Sequence, residues 1–389
     1  MIFPKVFVQD DWYHLYQVYN KSTLEILRYF NLWQNGNIDL NNFYRPLSTK
    51  LFYFLAYKLF GLNPFYFHIL AIILFLFNAV IFFKITKLIN KKSSVLAVFL
   101  YVFSLSNFTY FSYITAVDNL FFSFFAFSGI LAWLKNQPKL AYLLLIASLI
   151  SRESALMTPL FVAVYQYSFR KQALKKIIAS LKGWIFIAAV YVFSRIFIYG
   201  WPQRQTVYNF NLFGFHIIKN IFKYLQWNLN ITGLIKQKSP ASFFSLASLI
   251  IMFLILSLSL RQIIKKKTSQ KIIIFGSLWW IIFLIPVLFF PKHQDPWNLV
   301  VASGGMALVL SQIVKPMKKP IKIIIGVSWF VIFVLGLNFY FQNHWTVLRA
   351  KKVEKTIDLV TDHCSENIPF LHADSEEELK ELQYSWYYD

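Results

Sequence analysis

Long apolar runs separated by short polar connections occupy most of this chain from residue 64 onwards. Such runs predict membrane-spanning helices, because a helix needs about 20 apolar residues to cross the hydrocarbon core of a bilayer. The two runs between 139 and 169 are short for this purpose, so we expect that pair to be tilted, extended or partly re-entrant. The pattern predicts about ten spans, near residues 64–86, 93–112, 115–134, 139–151, 154–169, 183–200, 242–260, 272–290, 298–314 and 323–341.

Three shorter segments, 12–33, 47–60 and 210–229, are aromatic and amphipathic. Helices of this kind lie in the membrane interface with their rings at headgroup level. The predicted fold is therefore an all-α polytopic membrane protein with interfacial helices in its outer loops. We divide the chain into an external loop that carries an acidic motif, a transmembrane domain and a small extracytoplasmic tail: 1–63, 64–341 with an external segment at 201–241, and 342–389.

The distribution of charge supports this topology and explains the basic composition without nucleic-acid binding. The chain is 57% hydrophobic and 14% charged, with a formal net charge of +22. Positively charged loops stay on the cytoplasmic side. Because every second connection carries a basic cluster, the other connections and both terminal regions are predicted to lie outside the cytoplasm. The clusters fall around residues 84–92, 135–139, 170–176, 261–271 and 315–322.

The amino-terminal region does not fit the simplest version of this topology, because no apolar span precedes the external loop. We expect a first helix to be missing, through a misassigned start or a fragment. The alternative is that a short amino-terminal segment is translocated unaided. The single cysteine, Cys364, excludes a disulfide within the chain.

Ionisable residues in or beside membrane spans are costly to bury and therefore mark candidate sites. Asp118, Arg152, Glu153 and Arg195 belong to this class. Each also has a simpler explanation. Arg195 lies near the outer end of its span, where an arginine can equally snorkel to the interface. Asp118 could N-cap the helix that it begins, and Arg152 could pair with its neighbour Glu153 at a tight turn.

Two motifs in the first external loop carry further candidates. Asp10 and Asp11 are adjacent carboxylates, so one of them could keep a raised pKa and act as a base. A solvated or helix-capping pair is the commoner role for such a dipeptide. In the run Tyr44-Arg45-Pro46, the proline favours an extended Arg45, whose planar guanidinium suits a phosphate or carboxylate.

A later outer loop contains His293 and Asp295, which could supply a phosphate contact or a proton relay. The other histidines show no metal-ligand spacing, so we predict no dedicated histidine metal site. A divalent cation stays open as a cofactor, and no other cofactor is indicated.

In chain order these motifs resemble those of the GT-C superfamily of integral membrane glycosyltransferases, especially its protein mannosyltransferase and aminoarabinose-transferase-like branch. Val8–Trp12 resembles the acidic pair of the family's first external loop. Tyr44–Leu47, followed by Phe60–His68, resembles its YRPL and LNPxxFH sequences. Asp118–Leu120 resembles the Asp-x-Leu opening of a later span, and Ser151–Pro159 resembles a Ser-Lys-Glu turn.

The resemblance is good over residues 1–170 and rests mainly on topology after them. Two features of the family are absent, the first helix and the TPR array that follows the last span in some relatives. Arg152 stands where the family has lysine, which keeps the charge and alters its geometry. For the loop with His293 and Asp295, only the position of the loop is carried over.

The resemblance implies a glycosyltransferase that moves a sugar from a polyprenyl-phosphate donor to a hydroxyl acceptor on a protein, glycolipid or polysaccharide. The reaction would be an inverting single displacement at the extracytoplasmic face. We assign Asp10 as the base and Asp11 as its catalytic partner. The residues assigned to the donor phosphate are Tyr44, Arg45, Arg152 and His293, and those assigned to orienting the acceptor are Asp118, Glu153 and Asp295. The compact architecture favours a prokaryotic inner membrane.

Other functions stay open. A transporter or a lipid-linked sugar flippase would also bury ionisable residues, but transporters place them near the midplane of related halves. Here they collect on one outer face, and no repeat is visible. A noncatalytic relative could keep the fold as a partner subunit, and a polymerase or ligase could use diphosphate-linked glycans.

Overall fold

The computed structural model describes residues 4–31, 44–199, 210–231, 257 and 267–362, and these residues form helices and no strand. The amino-terminal region contains α1 (Asp10–Val18), α2 (Thr23–Arg28) and α3 (Phe52–Phe60), with a π-helical segment at Pro46–Leu51. The middle contains α4 (Pro64–Asn90), α5 (Ser94–Val102), α6 (Thr109–Ser112), α7 (Val117–Leu134), α8 (Pro138–Leu149) and α9 (Thr158–Tyr165). The last helices are α10 (Leu174–Tyr199), α11 (Phe215–Asn228), α12 (Lys267–Leu288), α13 (Ala302–Val314), α14 (Lys319–Asn343) and α15 (Trp345–Asp362).

The all-α class is confirmed for the described residues. Five helical stretches there are long and apolar enough to cross a membrane, which indicates a membrane protein: 64–102, 114–134, 174–198, 270–288 and 319–343. The first stretch is a hairpin of α4 and α5. The rings of Phe82 and Tyr101 lie 4.7 Å apart, although a straight helix would hold them about 28 Å apart.

The arrangement of ten spans is not confirmed. Two predicted spans, 139–151 and 298–314, contain the short helices α8 and α13. The span at 154–169 is divided into a 3₁₀ turn, α9 and a π-helical segment, Gln166–Arg170. The span at 242–260 lies outside the described residues, apart from residue 257.

The predicted span at 93–112 is interrupted after α5. The side chain of Asn230 donates to the carbonyl of Phe103 (2.9 Å) and accepts from the N–H of Leu105 (2.6 Å). Because these backbone groups bond a side chain instead of a helical turn, the chain continues as a 3₁₀ turn and α6.

The segments predicted to be interfacial are largely helical. They contain α1 and α2, then the π-helical segment with α3, and then α11; their position in the interface stays a prediction. Helix α1 is anchored to the core, because the ring of Phe7 just before it packs on Phe67 of α4 with centroids 5.1 Å apart. This contact brings the acidic motif to the ends of the long helices.

Aromatic side chains fill the centre of the bundle. Trp279 of α12 lies edge-on to Phe82 of α4, Phe127 of α7 and Phe161 of α9, with ring centroids 4.7 to 6.1 Å apart. Helices α12 and α13 approach closely at Gly276 and Gly305. Helices α10 and α14 instead expose most of their apolar side chains, as expected of helices that face lipid.

Candidate functional site

The candidate site forms around the first turn of α7. Residues 113–119 contact two groups of charged residues that are far apart in the sequence. Tyr113 bonds Asp10, Thr115 bonds Asp11, and Asp118 pairs with two arginines. We call Asp10 and Asp11 the acidic pair, and we call Arg45, Asp118, Arg152 and Glu153 the ion cluster.

Asp11 is the fixed member of the acidic pair and is only 1% exposed. Its Oδ1 accepts hydrogen bonds from the Tyr53 hydroxyl (2.9 Å), the Thr115 hydroxyl (2.6 Å) and the Thr115 N–H (2.8 Å). Its Oδ2 accepts from the N–H of Val8 (3.0 Å). Burial raises the pKa of Asp11 to about 6, and these four bonds oppose that rise. Asp11 therefore connects α1 to α3 and to the start of α7.

Asp10 is the more accessible member, since its side chain is only half-buried. Its Oδ2 accepts a hydrogen bond of 2.8 Å from the hydroxyl of Tyr113. Burial of that tyrosine, together with the negative charges of Asp10 and Asp11, raises its pKa well above the ordinary value. The hydroxyl of Tyr113 consequently stays protonated and holds the carboxylate of Asp10 in place.

Four charged side chains form the ion cluster. Oδ2 of Asp118 lies 2.7 Å from Nη1 of Arg45 and 2.7 Å from Nη1 of Arg152. Oε2 of Glu153 accepts from Nε and Nη2 of Arg45 at 3.1 and 2.8 Å. Burial alone would raise the pKa of Glu153, but the guanidinium groups of Arg45 and Arg152 outweigh it and lower that pKa. The cluster thus holds two permanent cations and two carboxylates.

Local backbone geometry places the two arginines. Arg45 has a φ of −136° and a ψ of 51°, so it avoids the helical region that the following Pro46 disfavours but is not fully extended as expected. Its carbonyl accepts from the N–H and the hydroxyl of Thr49 at 3.0 and 2.7 Å. The hydroxyl of Ser48 donates to the carbonyl of Ser151 (2.9 Å), which joins this turn to the loop that carries Arg152.

The loop after α12 adds a histidine–aspartate pair. Nδ1 of His293 lies 3.4 Å from Oδ2 of Asp295. Burial, together with the charges of Arg152 and Arg45, lowers the pKa of His293 to about 4. Burial raises the pKa of Asp295 to about 7, although Lys223 and Arg152 act against it. His293 is therefore neutral near pH 7, and Asp295 titrates there.

Arg152 connects this loop to the ion cluster. Its Nη2 donates to Oδ1 of Asn298 (2.8 Å), and the amide of Asn298 lies 3.3 Å from the hydroxyl of Tyr224 on α11. Helix α15 borders the same end of the molecule, where the Thr346 hydroxyl bonds that of Ser112 at 3.1 Å. Seven separate parts of the chain therefore meet here: α1, the segment 45–53, residues 112–119, the loop of Arg152, the loop 293–298, α11 and α15.

Most of the predicted site residues come together in this region, and their functional roles stay predictions. Tyr44 is buried next to the ion cluster, but its hydroxyl donates to the carbonyl of Phe30 (2.8 Å). The capping alternative for Asp118 is wrong, because α7 has no side-chain cap and this carboxylate pairs with the arginines. Arg152 and Glu153 each pair with another residue, so the alternative of a closed neighbour pair is also wrong.

Several polar residues at this site were not expected from the sequence: Tyr53, Tyr113, Thr115, Tyr224 and Asn298. One sequence signal pointed to the place, though not to these residues. Between residues 40 and 353 the chain has three acidic residues, Asp118, Glu153 and Asp295. All three lie at this site, so scarcity of carboxylates in a lysine-rich chain is itself informative.

The arrangement combines a partly exposed carboxylate, that of Asp10, with a charge-balanced cluster of ion pairs. Asp10 has the access that a general base needs. Glu153 keeps one buried oxygen, Oε1, without a hydrogen-bond partner in the described part of the chain, so it could accept a bond from a ligand hydroxyl. Among the described residues, no three His, Cys, Asp or Glu side chains are grouped closely enough to hold a metal ion.

Comparison with known proteins adds no relative: no protein-family model, no curated protein and no solved structure matches this chain.

Proposed function

We propose that this protein is a membrane glycosyltransferase that moves a sugar from a polyprenyl-phosphate donor to a hydroxyl acceptor. The observation that carries the proposal is the placement of Asp10. Its partly exposed carboxylate adjoins the buried Asp11 in the chain and bonds Tyr113, five residues before Asp118 of the ion cluster. A base and fixed guanidinium groups at one site are the combination that transfer from a lipid phosphate requires.

In the proposed reaction, the acceptor oxygen attacks the anomeric carbon and its proton passes to Asp10. The bond from that carbon to the phosphate oxygen breaks, and the phosphate leaves with the electron pair, so the anomeric centre is inverted. Tyr113 orients Asp10 through its hydrogen bond of 2.8 Å. Asp11, which accepts four bonds, positions α1 and is not itself the base.

The ion cluster supplies an oriented electrostatic field. Because Asp118 and Glu153 already balance Arg45 and Arg152, the donor phosphate would share the guanidinium donors with these carboxylates. Arg45 is better placed than Arg152 to contact the donor phosphate, since its side chain is 14% exposed and that of Arg152 is 9% exposed. Charge that grows on the leaving phosphate would then strengthen a contact already present in the ground state.

The remaining assignments complete the site. His293, neutral near pH 7, would donate a hydrogen bond to the phosphate, while Asp295 orients its ring. Oε1 of Glu153 would accept a bond from a sugar or acceptor hydroxyl. The site would open at the extracytoplasmic face of a prokaryotic inner membrane in a bundle of about ten spans, with the polyprenyl chain between lipid-facing helices.

The test is transfer of radiolabelled sugar from a panel of polyprenyl-phosphate donors in membranes that express the full-length protein. Asp10→Asn should lower transfer by about 10²- to 10⁴-fold, the usual contribution of a general base. Arg45→Ala should lower it as well, because Arg45 makes donor contacts and also holds the cluster. Glu25→Gln is the matched control, since this exposed carboxylate on α2 bonds only its own helix start and Lys21.

If the wild type transferred sugar and Asp10→Asn transferred it equally well, the assignment of Asp10 as the base would be wrong. If the wild type transferred sugar from none of the donors, the proposed glycosyltransferase activity would be contradicted. The same membranes would then be assayed for movement of lipid-linked sugar across the bilayer, the activity of a flippase.

A further inference from the structure

A cavity of about 400 Å³ lies at the other end of the helices, away from the candidate site. It opens between the end of the π-helical segment after α9 and the second turn of α12. Helix α9 runs from the loop of the ion cluster towards this cavity, and α12 runs from the cavity towards the loop with His293. The cavity is lined by Tyr167, Ser168, Lys171, Gln172, Lys271 and Ile274.

The charge of this cavity is positive and is not balanced by nearby acidic residues. The sequence has no aspartate or glutamate between Glu153 and Asp295, so neither wall carries a carboxylate. Lys171, which follows the π-helical segment, and Lys271 of α12 both line the cavity. Two ammonium groups in such a concave surface favour an anion, because low-dielectric walls focus their field.

A buried acceptor gives the second, independent observation. Oε1 of Gln172 is buried and has no hydrogen-bond partner in the described part of the chain. An unpaired buried carbonyl oxygen is costly and is satisfied when a ligand donates a hydrogen bond to it. The neighbouring Lys171 is the left-handed C-cap of the π-helical segment, with a φ of 51°, and it turns the chain at the cavity.

The position of the cavity along the apolar helix indicates the source of its ligand. Lys271 is the second residue of the apolar stretch 270–288, so the cavity lies where that helix would leave the hydrocarbon core. Tyr167 and Ile274, which are 70% and 44% exposed, line the same cavity with apolar surface. A ligand with a charged head and an apolar tail fits both parts.

We propose that this cavity binds the headgroup of an anionic phospholipid that carries a free hydroxyl. The phosphate lies between Lys171 and Lys271, and the Ser168 hydroxyl donates to it. A headgroup hydroxyl donates to Oε1 of Gln172. The first part of an acyl chain rests against Tyr167 and Ile274. This site is independent of the proposed transfer reaction.

The test measures lipid retained by the purified full-length protein in native mass spectrometry, after exchange with defined lipids. Three lipids separate the contributions: phosphatidylglycerol, phosphatidylmethanol with the same charge and no hydroxyl, and phosphatidylcholine with no net charge. The wild type should retain phosphatidylglycerol about tenfold better than phosphatidylcholine and several-fold better than phosphatidylmethanol. Lys171→Ala with Lys271→Ala should remove at least about 90% of the bound phosphatidylglycerol.

Three variants make the result specific. Gln172→Leu should bind phosphatidylglycerol and phosphatidylmethanol equally. The control, Lys318→Ala with Lys319→Ala, removes the same charge from exposed lysines at the start of α14 and should bind phosphatidylglycerol within about twofold of the wild type. Lys171→Arg with Lys271→Arg should bind like the wild type, which distinguishes loss of the site from loss of the fold.

Three outcomes would overturn the proposal. One is equal retention of phosphatidylglycerol and phosphatidylcholine by the wild type. Another is an equal loss in the control variant, which would indicate diffuse attraction instead of a site. The third is displacement of all lipid by soluble glycerol phosphate at equal concentration, which would assign the cavity to a free phosphate.

Discussion

At the scale of single residues, His293 and Asp295 are shifted in opposite directions by the same environment. Burial favours the uncharged form of each, which lowers the pKa of the histidine to about 4 and raises that of the aspartate to about 7. The pKa of His293 is lower in the folded state than in the unfolded state. The contribution of this residue to stability is therefore lost as the pH falls. A raised pKa for Asp295 means that its contribution is lost as pH rises. In the wild type these two effects largely cancel.

Single substitutions should expose each effect. Between about pH 5 and about pH 6.5, Asp295→Asn should make the melting temperature rise more steeply with pH than in the wild type. The substitution removes the opposing titration of Asp295 and leaves that of His293. His293→Gln should make it fall with pH over the same range. Each change corresponds to about 1–2 kcal/mol, or a few °C.

Thermal unfolding of the purified protein in detergent at several pH values measures both slopes. Glu25→Gln is the control, because the pKa of Glu25 is lowered to about 2 by hydrogen bonds from Ser22 and Lys21, below this window. Slope changes of equal sign in Asp295→Asn and His293→Gln would contradict the assignment.

At the scale of elements, the closest packing in the described bundle involves α12 and α13. A Cβ added to Gly305 would overlap the carbonyl oxygen of Gly276 and lie 2.7 Å from the backbone nitrogen of Trp280. Both neighbours are backbone atoms, so neither can move aside without moving a helix. Small residues at such crossings let helices approach within the membrane.

Gly305→Ala should therefore destabilise the protein by about 1–3 kcal/mol, the usual cost of overpacking. Gly326→Ala on α14 is the matched control, because its added Cβ would meet only Cε1 of Phe99 at 3.9 Å. That variant should be neutral or gain up to about 1 kcal/mol from higher helix propensity. Melting temperatures in detergent compare the two, and equal values would show that the contact between α12 and α13 is looser than described.

At the scale of the whole molecule, the two ends of the bundle differ in charge and in chemistry. One end carries the acidic pair and the ion cluster. The other end carries the basic clusters of the connections and the cavity with Lys171 and Lys271. The positive-inside rule predicts that these ends lie on opposite sides of the membrane.

Labelling of introduced cysteines tests this orientation in intact cells that express a Cys364→Ser background. Leu62→Cys lies before α4 on the side of the candidate site, and Lys92→Cys lies after it on the basic side; both positions are exposed. A membrane-impermeant maleimide should label the first in intact cells and the second only after permeabilisation. The reverse pattern would place the candidate site in the cytoplasm.

Much of the helical content could be predicted from sequence because hydrophobic runs and lysine clusters are local properties. Helices α4, α7, α10, α12 and α14 correspond to predicted spans. The breaks inside other spans could not be predicted, because they depend on contacts distant in sequence. Asn230, for example, lies more than 120 residues from the backbone groups of Phe103 and Leu105 that it bonds.

The sequence by itself determined the class of the protein and the identity of its few buried charges. A chain with three acidic residues between 40 and 353 has few ways to form a charged site. Only the tertiary structure decided their partners: Asp118 joins Arg45 and Arg152, and Tyr113 and Thr115 hold the acidic pair. The physical reason is the difference in what each property depends on. Hydrophobicity acts along a segment, whereas a hydrogen bond or ion pair requires atoms about 3 Å apart, and folding alone brings those atoms together.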